Sequence, residues 1–262
     1  MSKIGTLFSS SSGNCALVSS KNETILIDAG VSAKQILLAL ARNEISLETV
    51  KGIFITHTHS DHVKGLRVLL KKINVPVYGS KETLGKLILQ DTFGKNNTYY
   101  DMEDSPKFYF DMNVKFFRTS HDCTGSGGYQ ITMSNGDKVS VCTDLGVVTD
   151  TVRESIKGSK AVILESNHDV GMLQKGIYPF ETKQRILSDE GHLSNTLAAS
   201  ELPFLIKNGT SRFLLAHLSR DNNTPNLARV ASEAVLNELS LKNGEDYLLS
   251  VAPPDSAKMM WL

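Results

Sequence analysis

His57-Thr58-His59-Ser60-Asp61-His62 places three histidines and an aspartate within six residues, directly after the apolar run Gly52–Thr56 (GIFIT). That run is β-branched, aromatic and uncharged, and it reads as a short buried strand ending where His57 begins. Side chains alternate along an extended segment, so His57 and His59 face one way and can grip one ion. Asp61 and His62 project differently as the chain turns into a helix expected over Val63–Lys72, so one motif can feed two metals. Imidazole nitrogen and carboxylate oxygen bind zinc or manganese at about 2.0 to 2.2 Å, and a catalytic site keeps one position open for water. A polar loop whose histidines merely cap a helix is the plainer reading, and the density of donors argues against it.

The other histidines extend the pattern. His121 follows Val114–Ser120, Asp144 follows Lys138–Thr143, and His217 follows Arg212–Ala216, each where an apolar stretch stops. Singly, His121 and His217 would read as structural histidines, and Asp144 in Thr-Asp-Leu-Gly as a turn or a helix cap. Beside the six-residue cluster, all three read as ligands set along one sheet edge. His192 lies instead in the turn Gly191-His192-Leu193-Ser194-Asn195, where capping a helix over Asn195–Leu205 competes with a chemical role. His168, in Glu165-Ser166-Asn167-His168-Asp169, reads equally well as a substrate contact or as loop structure. Ser9–Asn14, with Ser12 and Asn14, reads as a tight loop able to offer backbone N–H groups to a phosphate.

The order of elements fits an α/β fold of the αββα sandwich type. Strands are expected at Lys3–Phe8, Cys15–Ser19 and Thr24–Ile27, a helix at Ala33–Asn43, a strand at Val75–Tyr78 and a helix at Glu82–Gln90. Tyr129–Met133 and Lys138–Cys142 form a hairpin through Asn135-Gly136, which supplies the positive φ such turns need. Ala161–Leu164, Phe213–Ala216 and Tyr247–Val251 read as strands, and Asn195–Leu205 and Asn226–Leu239 as helices. A chain of 262 residues that is 40% hydrophobic can bury one sizeable core, and no linker divides it, so residues 1–262 are expected to form a single domain. It shows neither a membrane-length apolar stretch nor a signal-peptide pattern at Met1–Thr6. Cys15, Cys123 and Cys142 are unpatterned and odd in number, which fits free thiols in a reducing, cytoplasmic setting. Cys123, two residues past His121, reads more readily as a buried small residue than as a neighbour of the metals.

His57–His62 matches the His-x-His-x-Asp-His signature of the metallo-β-lactamase fold superfamily, which the chain resembles over nearly its whole length. Within it, Phe8–Cys15, Leu26–Gly30, Ser120-His121-Asp122, Glu165–Asp169, Gly191–Asn195 and Ala216–Ser219 resemble the YycJ (WalJ)-like nuclease family. The resemblance implies a metal-dependent phosphodiesterase, a 5′→3′ DNA exonuclease using water activated by two divalent ions, zinc or manganese. It implies that His57, His59, His121 and a bridging Asp144 hold one ion, while Asp61, His62, Asp144 and His217 hold the other. Such a pair can clamp a phosphodiester and stabilise the attacking and departing oxygens. Asp61 would also orient or deprotonate the water. His192 would contact the scissile phosphate or protonate the leaving oxygen, its ring held by Glu165. Asp28 would support the ligand loop through hydrogen bonds without touching metal. Ser12, Asn14, His168, Ser194 and Asn195 are the candidates for substrate contact.

Twenty-eight Lys plus Arg against 28 Asp plus Glu give zero net charge, which by itself does not announce a nucleic-acid binder. Lys64, Arg67, Lys71 and Lys72 on one expected helix, and Lys175, Lys183 and Arg185 further on, are compatible with tracking phosphates, although such charges are usually a solvated face. The expected partner is nucleic acid, double-stranded DNA in the first instance, with no membrane contact and a homodimer as one option. A small-molecule hydrolase of the same fold, acting on a thioester, lactone or cyclic phosphodiester, is the alternative. A non-catalytic protein with structural metals fits poorly with a complete ligand set.

Overall fold

The computed structural model describes residues 2–103 and 111–262, so Met1 of the Met1–Thr6 segment lies outside the described residues. The first half of the chain lays down β1 (Lys3–Phe8), β2 (Cys15–Ser19), β3 (Thr24–Ile27), β4 (Val50–Phe54), β5 (Val77–Gly79) and β6 (Tyr99–Asp101). The second half supplies β7 (Asn113–Arg118), β8 (Gly127–Thr132), β9 (Lys138–Cys142), β10 (Ala161–Glu165), β11 (Arg212–Ala216) and β12 (Leu248–Val251), before β13 (Lys258–Trp261) returns to the first sheet. Among the described residues, one sheet runs β13-β1-β2-β3-β4-β5-β6 and the other β12-β11-β10-β9-β8-β7. β3, β4, β5 and β6 are parallel to one another. So are β9, β10, β11 and β12.

Alternation along buried strands sorts their apolar runs into layers. Ile25, Ile27 and Phe54 meet Tyr129, Val141, Ile163 and Leu214 between the sheets. Leu26 and Ile53 point outward to Ile36 and Leu40 of α1 (Ala33–Arg42). Val162, Leu164, Phe213 and Leu215 point outward on the other side, to α5 (Asp150–Ile156), α8 (Asn195–Lys207) and α9 (Pro225–Glu238). Strands covered on both faces read as continuous hydrophobic runs, as β3, β10 and β11 do. The result is the expected helix-sheet-sheet-helix sandwich. No helix among the described residues is long and apolar enough to cross a membrane.

Most expected elements differ from the observed ones by a residue or two. The helix expected over Val63–Lys72 is instead two short turns, α2 (Ser60–Val63) and α3 (Leu66–Leu69), broken at Gly65. The Asp28–Val31 loop crosses there: Ala29 N–H donates to His62 O and Gly65 N–H to Ala29 O, both at 2.8 Å. A Cβ at Gly65 would lie 2.0 Å from Val31 O. With the helix broken, its basic residues do not form one stripe, and Arg67 pairs with Asp91 at 2.8 Å. The sequence reading passed over β6, β13, α5, α6 (Val170–Lys175) and α7 (Phe180–Leu187), all short or largely polar.

Gly65→Ala is expected to destabilise the protein by roughly 1–3 kcal/mol, because the added methyl meets backbone that cannot yield. Gly85→Ala, inside α4 (Lys81–Leu89) with open space around its Cβ, is expected to stabilise by about 0.5–1 kcal/mol. Urea midpoints of the two variants, compared with the parent, check both signs.

Candidate metal centre

Parallel strands from both sheets end at one edge of the sandwich, and the candidate residues follow those ends. Asp28 comes directly after β3, Asp144 two residues after β9, Glu165 closes β10, and His217 directly follows β11. Asp28, Asp144 and His217 all take left-handed backbone, with φ of 64°, 61° and 57°. Neighbouring segments fix that conformation. Asp28 N–H donates to Phe54 O at 2.8 Å, and His217 N–H donates to Ser9 Oγ at 2.8 Å. Left-handed φ is uncommon for residues with side chains and clusters where function demands it.

Two sets of donors result. In the first, the rings of His57, His59 and His121 lie 4.6–5.0 Å apart between centroids, with His121 Nε2 3.3 Å from His59 Nδ1. His121 Nδ1–H donates to Gly191 O at 3.0 Å, which leaves Nε2 for the site. In the second, Asp61 Oδ2 lies 3.3 Å from His62 Nε2 and 3.5 Å from His217 Nε2. Asp144 stands between the sets: its Oδ2 is 3.4 Å from His62 Nε2, and its Oδ1 is 3.5 Å from His217 Nδ1 and 3.9 Å from His121 Nε2. Within each set the donor atoms all lie within 4.8 Å of one another. Among the described residues, His57 Nε2 and Asp144 Oδ2 are buried with no hydrogen-bond partner. Buried polar atoms are nearly always satisfied, so orphaned donors facing one another in a nitrogen and oxygen cluster fit divalent cations.

Supporting groups aim these ligands. Asp28 accepts from Thr56 N–H and Thr56 Oγ1–H at 2.8 Å and lies 2.7 Å from His62 Nδ1, which turns His62 Nε2 toward the site. Glu165 Oε1 lies 2.9 Å from His192 Nδ1 and 2.7 Å from His217 Nδ1, while its Oε2 accepts from the N–H of Leu145 and Leu193. The partnership with His217 was missed from sequence, because 52 residues separate the two. Asp122 was also passed over as a site residue. It reaches within 3.4 Å of His121 Nε2 and is pinned by Arg185 at 2.6 Å; its place next to His121 was the available signal.

Charge in the site is balanced by protons on particular rings. Burial lowers the affinity of His57 for a proton, and the neighbouring His62 lowers it further, so His57 is neutral. Burial works the same way on His62, yet Asp144 and Asp28 overcome it and raise this imidazole well above its ordinary range. His217 is likewise raised to about 10 by Asp144, Asp61 and Glu165 against the effect of burial. Burial would push the Glu165 carboxyl up, but His192 and His217 hold it at about 2. Asp61 and Asp144 are held below the usual carboxylate range chiefly by His217 and His62, again against burial.

Several candidates are occupied internally. Ser194, not His192, caps α8, accepting from Leu197 N–H at 3.2 Å. Asn195 is buried, accepting from Ser166 Oγ–H at 2.6 Å and bonded to Asn223. Ser194 Oγ is thus engaged in capping and the Asn195 amide in bonds to Ser166 and Asn223. His168 is buried, and among the described residues both its ring nitrogens lack a hydrogen-bond partner. Ser12 is exposed. Most amides of Ser9–Asn14, expected to be open to a phosphate, are engaged within the protein: Ser9 N–H goes to Pro254 O, Ser10 N–H to Asn14 Oδ1, Ser12 N–H to Ser10 Oγ, Gly13 N–H to Ser10 O and Asn14 N–H to Asp61 O. Cys123 is buried, with Sγ 3.4 Å from Thr58 Oγ1.

Known proteins resemble this chain. The profile of the Metallo-beta-lactamase superfamily matches residues 10–169. The chain is 37% identical to "Exodeoxyribonuclease YycJ" of Bacillus anthracis, covering 95% of this chain and 94% of that one. It is 33% identical to "Exodeoxyribonuclease WalJ" of Streptococcus pneumoniae, covering 98% of each. The metallo-beta-lactamase fold protein YhfI of Bacillus subtilis superposes with a TM-score of 0.70 over 99% of both chains, at 16% identity, a likeness of fold alone. A donor-lined sheet edge, a matching profile and full-length relatives agree: the chain belongs to the metallo-beta-lactamase superfamily and, within it, to the family of YycJ and WalJ.

Proposed function

We propose that this chain is a metal-dependent exonuclease that degrades double-stranded DNA from the 5′ end, with zinc or manganese as its metals. The observation that carries the reading is the two donor sets, His57/His59/His121 and Asp61/His62/His217, with Asp144 within 3.9 Å of a histidine of each and a further histidine held on Glu165. The names of its full-length relatives, both exodeoxyribonucleases, supply the substrate class.

In this mechanism His57, His59 and His121 would hold one ion and Asp61, His62 and His217 the other, with Asp144 in reach of both sets. Two divalent ions so held would supply an activated water and positive charge for the phosphodiester. Asp61, 21% exposed where Asp28, Asp144 and Glu165 are nearly sealed, would orient that water for attack. His192 has its Nδ1 committed to Glu165, so Nε2 is the atom that presents a proton to the departing oxygen. Arg185 is engaged by Asp122 and Lys183 by Gln174 O, and exposed Lys64 and Lys175 are the cations we assign to the DNA backbone. Buried free thiols at Cys15, Cys123 and Cys142 suit a reducing cytosol, where residues 1–262 act as one catalytic domain.

Digestion of duplex DNA labelled at the 5′ or the 3′ end decides the polarity. Early release of label from the 5′ end, absent in His59→Ala, is expected; no cleavage by metal-loaded protein would move the reading to a small-molecule ester. His192→Ala should keep both metals and slow turnover about 10²- to 10⁴-fold, and metal analysis beside single-turnover kinetics separates those effects. Loss of a metal would show that His192 is a ligand. Uptake of zinc near pH 7 should release about two protons per chain, because His62 and His217 are protonated without metal and must free Nε2 to ligate. Titration calorimetry in buffers of different ionisation enthalpy measures that number, and a heat independent of buffer would contradict it.

A further inference from the structure

The loop between β1 and β2 touches the second donor set and not the first. Asn14 N–H donates to Asp61 O at 2.8 Å, and Gly30 N–H donates to Asn14 O at 2.8 Å. The Asn14 side chain is oriented by Ser10 N–H, which donates to Oδ1 at 3.1 Å. That bond leaves Nδ2 facing the ligands, 3.2 Å from Asp61 Oδ2 and 3.1 Å from His62 Nε2. Five residues earlier, Ser9 Oγ accepts the N–H of His217, across 208 positions of sequence, and thereby holds His217 in its left-handed conformation. Ser9 and Asn14 are buried.

The first donor set has other supports. His57 Nδ1 lies 3.1 Å from Thr56 Oγ1, a hydroxyl also 3.3 Å from His62 Nδ1, and His121 Nδ1–H is bonded to Gly191 O. Asp28 serves both sides, through Thr56 and through His62. Ser9 and Asn14 bear on the second set alone, as Glu165 does through His217.

We infer that Ser9 and Asn14 are positioning residues for a single ion, the one held by Asp61, His62 and His217. The inference rests on the two-ion reading above. Asn14 fixes which oxygen of Asp61 turns to the ion, and Ser9 fixes the angle at which His217 leaves β11. Supporting groups of this kind typically change metal affinity about 10- to 100-fold.

The test uses zinc-loaded full-length protein equilibrated against graded chelator, with zinc counted per chain. Parent, Ser9→Ala and Asn14→Ala are compared, and thermal unfolding is followed in parallel. Each variant is expected to lose one ion at roughly 10- to 100-fold weaker chelation than the parent, and to keep the other as the parent does. Ser9→Ala removes only a hydroxyl, so it keeps the test sound where Asn14→Ala disturbs the loop. Retention of both ions as in the parent, or earlier loss of both together, overturns the inference while leaving the two-ion reading intact. A parent that carries fewer than two ions overturns that reading and the inference with it.

Discussion

Four carboxylates, Asp28, Asp61, Asp144 and Glu165, converge where the two sheets open, and all but Asp61 are nearly sealed from water. Ionised groups in such surroundings must be paired and hydrogen-bonded, or the fold does not hold them. Each is met by histidines: Asp28 by His62, Asp61 by His62 and His217, Asp144 by His62, His121 and His217, and Glu165 by His192 and His217. The ends of β3, β9, β10 and β11 each deliver one member of the network. The parallel pairings of β3 with β4 and of β9 with β10 and β11 make those ends coincide.

The network also explains which support each ligand receives. An imidazole has two nitrogens, and the one facing metal is chosen by the partner of the other. Asp28, Gly191 O and Glu165 make that choice for His62, His121 and His217. Protons on His62 and His217, both raised by the carboxylates around them, offset part of that negative charge. A single oxygen, Glu165 Oε1, serves both the ligand His217 and the proton carrier His192, which ties the two halves of the proposed chemistry to one side chain.

Much of this was legible in the sequence where the chemistry is local. His57–His62 needs six consecutive residues, and His217 stands directly after an unmistakable apolar run, so both could be read without a fold. The αββα order followed from alternation and from Asn135-Gly136, whose turn carries φ +88° at Gly136. What escaped reading depends on contacts between distant segments. The break at Gly65 is set by a loop about 35 residues earlier in the chain, and local helical periodicity has no access to it. Asn14 read as a candidate substrate contact in a tight loop, because nothing near it in sequence shows that Asp61 lies beside it. Ser194 took the cap that seemed to belong to His192, one of several polar residues in that turn that can accept the helix N–H groups.

The left-handed backbone at Asp28, Asp144 and His217 has an evolutionary side. Such conformations strain a residue with a side chain by about 1–3 kcal/mol, less for aspartate than for histidine, and glycine adopts them freely. Selection for robustness alone would drift these three positions toward glycine, the residue that relaxes the chain and cannot hold a cation. Their occupancy by aspartate and histidine marks places where stability and activity pull in opposite directions, and a descendant that had abandoned the chemistry would be expected to give way there first.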